Sequence, residues 1–161
     1  MKKVGEYVVN RKQVCKICDI VTHKNKTYYS LVPVGDNTLN IKVPIDSKLL
    51  RDLITKEELE KLLLEIPRID AIDNSEKMIE NQYKKLMKSG THEDLVKVIK
   101  TTYLRNKERA KNNKKLSDKD NEYFNRAEKY FYNELSIVLK MDFEETKDYI
   151  HKRLEKIESN D

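Results

Sequence analysis

Apolar and polar side chains alternate along the first 45 residues of the chain, which is the pattern of half-buried β-strands. Polar turns at Asn25-Lys26 and Gly35-Asp36-Asn37 separate the later strands. The alternation predicts strands over residues 4–9, 14–21, 27–32 and 39–44. Four or five short strands in so few residues favour a small, strongly bent barrel of the SH3 or Tudor kind, a type of module that usually binds a partner.

Beyond Pro44 the apolar side chains recur with a helical period. Residues 46–50 are predicted to form one short helical turn. Thr55 and Glu58 have the spacing of a capping box, in which each side chain accepts from the other residue's backbone amide. They predict a helix over residues 56–66.

The remainder of the chain is predicted to be helical. The stretch 68–74 has no regular pattern and is predicted as a hinge. Three helices are predicted to follow the cap residues Ser75, Thr91 and Ser117, and a last one spans about 143–157. The helix that Ser75 begins is predicted to end at Gly90. Its apolar side is predicted to carry Met78, Ile79, Tyr83, Leu86 and Met87.

These elements together predict an α+β protein, in which a small Tudor- or SH3-like β-barrel module precedes an all-helical domain of four or five helices. We expect the β module to occupy residues 1–53 and the basic helical domain to occupy residues 75–161. A connecting helix and the hinge would fill 54–74.

Positive charge is concentrated in the middle of the helical half. The whole chain has a net charge of +5, whereas residues 76–115 carry 12 Lys or Arg against 5 Asp or Glu. Such a concentration is typical of a surface that contacts phosphates, and equally of a lysine-rich solvated helix face. Its most compact part comprises Lys97, Lys100, Arg105, Lys107, Arg109, Lys111, Lys114 and Lys115.

The chain shows no signal for membrane insertion or export. No apolar run approaches the roughly 20 residues that span a bilayer. The start, MKKVGEYVV, has two lysines but no apolar core of the kind that a signal peptide contains. We therefore predict a cytoplasmic protein with no membrane partner.

The two cysteines form a single Cys15-Lys16-Ile17-Cys18 motif. A structural zinc site needs four ligands, and His23 is the only other candidate nearby. Positions i and i+3 of a strand point to opposite faces, which disfavours a disulfide or a shared metal ion. We interpret both residues as ordinary strand cysteines and predict no cofactor and no small-molecule ligand.

Catalytic chemistry is not indicated by the sequence. The three histidines, His23, His92 and His151, fall on three different predicted elements. Many carboxylates have a lysine or arginine three or four positions away, as on solvated helix faces. We expect no enzyme, although 28 acidic residues leave room for a carboxylate pair near a pocket.

The strand that ends at Pro44 is a candidate binding edge. An alternating strand closed by proline suits the edge of a small sheet, where a partner's strand can add to it. An ordinary internal strand has the same pattern.

Several short motifs are spread along the chain: Lys3-Val4-Gly5-Glu6-Tyr7-Val8-Val9, Leu39-Asn40-Ile41-Lys42-Val43-Pro44, Lys88-Ser89-Gly90, Val98-Ile99-Lys100, Arg105-Asn106-Lys107-Glu108-Arg109 and Asn133-Glu134-Leu135. Together they give the chain a resemblance to the CarD family of bacterial transcription regulators. Their order and spacing hold over nearly the whole chain. The N-terminal module also resembles the polymerase-interacting domain of the transcription-repair coupling factor.

The resemblance implies two partners, the β subunit of RNA polymerase and double-stranded promoter DNA bound largely without sequence specificity. It implies a nucleoid-associated regulator that acts on the open promoter complex at the upstream edge of the melted bubble. The residues expected to bind polymerase are His23, Leu39, Asn40, Ile41, Lys42 and Val43. The residues expected to bind DNA are Lys77, Lys84, Lys85, Lys100, Arg105, Lys107, Arg109 and Lys114.

The chain departs from the family pattern in three places. The first turn, Asn10-Arg11-Lys12-Gln13, is one residue shorter, and the loop over 110–115 is longer and adds lysines. The family's tryptophan wedge matches a position near Ser75 or Glu76, and this chain contains no tryptophan. Met78 is a possible substitute. The missing wedge keeps open an alternative function, a polymerase-docking adaptor that has lost its DNA contact.

Overall fold

The computed structural model describes residues 1–73 and 76–160, so the predicted cap Ser75 lies outside the described residues. A five-stranded sheet is followed by five α-helices in these ranges, which confirms the predicted fold class. The strands are β1 (Tyr7–Asn10), β2 (Gln13–His23), β3 (Lys26–Pro33), β4 (Ile41–Pro44) and β5 (Leu50–Arg51). The helices are α1 (Lys56–Glu65), α2 (Glu76–Ser89), α3 (His92–Lys111), α4 (Asp118–Leu139) and α5 (Phe143–Ser159).

The sheet is antiparallel and has the order β4-β3-β2-β1-β5. Lys24 and Asn25 both have positive φ, which gives the β2–β3 hairpin a tight two-residue turn. Alternate side chains on β1 to β4 form a separate small core, because a period of two places them on one face. Its buried members are Val8, Cys15, Ile17, Tyr29, Leu31 and Val43.

Two local predictions in this module are wrong. Residues 46–50 do not form a helical turn; the chain turns there and enters β5, where Asn10 pairs with Leu50. The free edge of β1 supplies hydrogen-bond partners that an isolated turn of helix lacks. The fourth strand begins at Ile41, two residues later than predicted, and the Asn40 side chain accepts a hydrogen bond from Ser30 Oγ at 2.6 Å.

Cys15 is buried and Cys18 is exposed, and neither is in a disulfide. The pairing of β2 with β3 shifts register between Ile17 and Asp19, so Cys18 sits at an irregularity of the strand. The predicted opposite orientation of the two cysteines is confirmed. Within the described residues, no group of three His, Cys, Asp or Glu side chains is placed to hold a metal ion.

The five helices, α1 included, share one hydrophobic core. The largest fully buried side chains in it include Tyr83, Phe131, Leu95, Leu135 and Ile150. The predicted capping box at Thr55 is present, and Thr91 and Ser117 cap α3 and α4 as expected. The prediction that Met78 packs on the apolar side of α2 is wrong, since its side chain is 49% exposed. In the described ranges, no helix is both long and apolar enough to cross a membrane.

A buried carboxylate attaches the β module to the helices. Glu134 of α4 accepts hydrogen bonds from both terminal nitrogens of Arg51 in β5, at 2.7 and 3.0 Å. It also accepts from the backbone amide of Ile54 at 2.8 Å and lies 2.9 Å from Nε2 of His92 at the start of α3. Burial raises the pKa of Glu134, but the hydrogen bonds from His92 and Arg51 outweigh it and bring the pKa to about 2.

Candidate nucleic-acid interface

The strand predicted to bind a partner lies at the end of the sheet. β4 pairs with β3 on one side only, from Leu31 opposite Ile41 to Tyr28 opposite Pro44, and it ends the hydrogen-bonded order of the described sheet. An end strand leaves backbone amides and carbonyls that a partner's strand can pair with. Of the two interpretations that the sequence leaves open, an edge strand and an internal strand, the edge strand is the one observed.

The side chains around this edge differ in their exposure. Val43 is buried in the core of the module, whereas Lys42 is exposed and forms no ion pair among the described residues. Leu39 and Asn40 precede the strand and are exposed, and Ile41 is half-buried. The edge therefore presents one apolar side chain, Leu39, and one positive charge, Lys42, to solvent.

His23 lies at the end of β2, two strands away from β4. It pairs with Lys26 across the hairpin turn, beyond the Tyr28–Pro44 end of β4. Its side chain is exposed. His23 is therefore not part of the β4 edge, although it lies toward the same end of the sheet as Pro44.

Three predicted DNA-binding lysines lie on the solvent side of α2. Lys77, Lys84 and Lys85 are exposed, while Ile79, Tyr83 and Met87 of the same helix are buried. Spacings of three and four place side chains on one helix face. Lys77 and Lys84 are seven residues apart, which is about two turns, and Lys88 is four residues further on, so all three lie on one face. The sequence interpretation omitted Lys88, although its position four residues after Lys84 is a signal that could have identified it.

Among the described residues, Glu80 is the one acidic side chain that pairs with these lysines. Lys84 lies 3.7 Å from Glu80 one turn earlier, and Glu80 also pairs with Lys119 of α4 at 2.5 Å. Lys77, Lys85 and Lys88 form no ion pair in the part of the chain that the structure describes. We call the exposed surface formed by Lys77, Lys84, Lys88 and the adjacent Lys85 the α2 basic stripe.

Arg105 is placed differently, inside a polar network at the base of α3. Its Nε lies 3.0 Å from Oδ2 of Asp120, whose other oxygen accepts a hydrogen bond from the Tyr83 hydroxyl at 2.9 Å. Asp120 and Tyr83 are both buried. Burial and the bond to Asp120 raise the pKa of Tyr83. Arg105 thus neutralises a buried carboxylate and ties α2 and α4 to α3.

Lys100 also has an internal role. Its Nζ donates to the backbone carbonyls of Ile66 and, at 2.7 Å, of Ile69. The same segment is held by the Ile72 amide, which donates to Thr101 Oγ1 at 2.9 Å. Burial lowers the pKa of Lys100. In its described part, 68–73, the predicted hinge has no regular structure after Arg68, which ends a short 3-10 helix, and the bonds to Ile69 and Ile72 fix it to α3.

The remaining predicted cations lie near the turn between α3 and α4. Lys107 is exposed, with Nζ 5.9 Å from the centroid of the Tyr103 ring. Arg109 and Lys114 line a pocket of about 230 Å³ together with Arg105. The turn positions Lys114 because Asn113 adopts a positive φ and the Lys114 amide donates to the Arg109 carbonyl at 2.8 Å. The cations predicted to bind DNA, apart from Lys100 and Arg105, thus lie in two regions, this turn and the α2 basic stripe.

Comparison with known proteins identifies the helical domain. Residues 62–151 match the family model described as CarD, C-terminal domain. The matched segment covers more than half of the chain and includes α2, α3 and α4 entirely. A search of curated proteins finds no match to the chain.

Proposed function

Because this chain belongs to the CarD family of transcription-associated proteins, we propose that it is a transcription regulator that binds both RNA polymerase and promoter DNA. The β module docks on the polymerase β subunit, and the helical domain contacts DNA near the upstream edge of the melted bubble. There the protein changes the stability of the open complex. The observation that carries the proposal is the α2 basic stripe, which lies within the segment that matches the family.

The β4 edge is the proposed polymerase contact. Strand addition supplies main-chain hydrogen bonds, and Lys42 with Leu39 supplies the side-chain contribution. We expect Lys42→Glu to weaken capture of the isolated polymerase β subunit. Lys16→Glu is the matched control, because Lys16 is an exposed lysine of the internal strand β2. Equal capture of the two variants would reject docking through this edge.

The α2 basic stripe is the proposed DNA contact. A protein that neutralises duplex phosphates releases counterions, so the logarithm of affinity falls linearly with the logarithm of salt by roughly 0.9 per contact. We expect Lys77→Glu combined with Lys85→Glu to reduce this slope by about 2. Lys56→Glu with Lys152→Glu changes the net charge equally on exposed positions of α1 and α5 and is the control. A salt slope that matches the control would exclude this face.

Arg105 and Lys100 are assigned supporting roles in this proposal. Reversing the charge of Arg105 would leave the buried Asp120 carboxylate beside another carboxylate. Such a substitution destabilises the domain, so it is not a clean test of DNA binding. Of the predicted turn cations, Lys107 and Lys114 are exposed and are proposed as additional phosphate contacts.

Met78 is the proposed replacement for the family's wedge. It lies in the first turn of α2, is 49% exposed, and shares a side of the helix with Lys85, seven residues later. Methionine is among the apolar side chains that unstack base steps in minor grooves. We expect Met78→Ser to shorten the lifetime of the open complex while leaving duplex affinity unchanged. Unchanged lifetime would reject insertion.

A second candidate function is a polymerase-docking adaptor without DNA contact. Its support is that Lys100 and Arg105 contact other parts of the protein, and that the chain contains no tryptophan. Promoter footprinting with polymerase distinguishes the two functions. Protection that extends upstream in the presence of the protein favours the DNA-contacting regulator, and an unchanged bubble edge favours the adaptor.

A further inference from the structure

A cleft of about 450 Å³ lies between the β module and the α2–α3 turn. The β1–β2 turn, the segment before β5 and the end of α2 form its walls. Five cationic side chains line it: Arg11, Lys12, Lys48, Arg51 and Lys88. No carboxylate of the described residues is among its lining residues. None of these five residues was predicted to bind a partner.

The backbone brings these cations together by a close approach of two turns. Arg11 adopts a positive φ, and its amide donates to the Leu49 carbonyl at 2.9 Å, which fixes the β1–β2 turn beside β5. Gly90 faces this turn so closely that an added Cβ would lie 2.9 Å from Cβ of Lys12. The arrangement thus depends on contacts between sequence-distant segments.

Most of the positive charge in the cleft is not neutralised by the protein itself. Arg51 is paired with Glu134. Arg11, Lys12, Lys48 and Lys88 form no ion pair within the described residues. At Lys12, burial lowers the pKa, and the positive charges of Arg126, which lies outside the cleft lining, and of Arg11 lower it further. A concave site with four such charges attracts anions strongly.

We propose that this cleft binds phosphate groups. The lining residues include no aromatic ring on which a base could stack, so the ligand is recognised by its anionic oxygens. Lys88 belongs both to the cleft and to the α2 basic stripe, which therefore ends at the cleft. If the proposed function holds, the phosphates are those of the DNA backbone, and the β module extends the DNA contact beyond the helical domain.

The test compares two double variants, each of which lowers the net charge by four. Arg11→Glu combined with Lys48→Glu alters the cleft, and Lys56→Glu with Lys152→Glu alters exposed positions elsewhere by the same amount. Affinity for a short labelled duplex is measured as a function of salt. Affinity for inorganic tripolyphosphate is measured by calorimetry at constant ionic strength, and circular dichroism confirms that each variant is folded.

We expect the affinity of the cleft variant for tripolyphosphate to be roughly tenfold lower than that of the control variant, because charge-assisted hydrogen bonds are lost. With duplex DNA its salt slope should fall by about 2. Loss of tripolyphosphate binding with unchanged DNA binding supports the cleft and assigns it a free polyphosphate. Equal behaviour of both variants toward both ligands would overturn the inference. The proposed function is tested separately by the variant that combines Lys77→Glu with Lys85→Glu, since neither lysine lines the cleft.

Discussion

Replacing Glu134 with glutamine removes a negative charge from the junction between the β module and the helices while keeping the shape of the side chain. In the wild-type protein both carboxylate oxygens accept hydrogen bonds, from Arg51, His92 and the Ile54 amide. The glutamine amide group would place its own donors against at least one of these donors. The variant therefore reports how much the ionised carboxylate contributes to folding.

The magnitude follows from the pKa of Glu134, which is about 2 in the folded protein and 4.5 for an unperturbed glutamate. Each tenfold difference in proton affinity corresponds to about 1.36 kcal/mol. The ionised form is therefore stabilised by roughly 3 kcal/mol in the folded state. The same order is expected when one partner of a buried ion pair is removed.

Urea denaturation at several pH values measures this contribution as a free energy of unfolding. Because folding lowers the pKa, the stabilisation is complete above about pH 4.5 and is lost as the pH falls toward 2. We expect Glu134→Gln to cost about 3 kcal/mol at pH 7, roughly 1.4 kcal/mol at pH 3, and almost nothing near pH 2.

The control is Glu122→Gln, which removes the same charge from an exposed position of α4. It should change the free energy of unfolding by less than about 0.5 kcal/mol at either pH. If Glu134→Gln lowers the free energy of unfolding by the same amount at pH 7 and pH 3, the effect comes from packing. The charge-based reasoning would then be refuted.

Three further predictions concern other contacts of the helical domain and its junction. Gly90→Ala should lower the thermal midpoint more than Gly5→Ala, because both positions have positive φ but only Gly90 faces a neighbour within 3 Å. Tyr83→Phe should cost about 1–2 kcal/mol in urea denaturation by leaving the buried Asp120 with one bond fewer, and a neutral result would contradict that role. The pKa of Lys12 should rise when tripolyphosphate is added, as followed by NMR of its side-chain nitrogen, and should stay unchanged if the cleft binds no anion.

The regular elements of the fold were predictable because their signals are local. A period of two identifies β1 to β4. Thr55, Thr91 and Ser117 mark the starts of helices, because each side chain accepts a hydrogen bond from the backbone amide three residues later. β5 was not predictable, since its two residues become a strand only through the free edge of β1, some 40 positions away. Non-local pairing of this kind leaves no periodic pattern in so short a segment.

The candidate site was predictable in charge but not in geometry. Composition correctly indicates that residues 76–115 are basic, and it cannot separate Lys85, which faces solvent, from Lys100, which binds backbone carbonyls. The partner of Arg105 is an aspartate 15 residues later on another helix. The cleft was missed for the same reason, because its cations come from three segments that meet only in the folded chain.

The Glu134 junction has a consequence for exchanging modules between relatives of this protein. The carboxylate belongs to α4, whereas Arg51 belongs to the β module and His92 to the start of α3. A chimera that imports a foreign β module without an arginine equivalent to Arg51 would deprive the buried carboxylate of its two hydrogen bonds from the guanidinium. The two halves are thus transplantable only together, or with the three positions matched as a set.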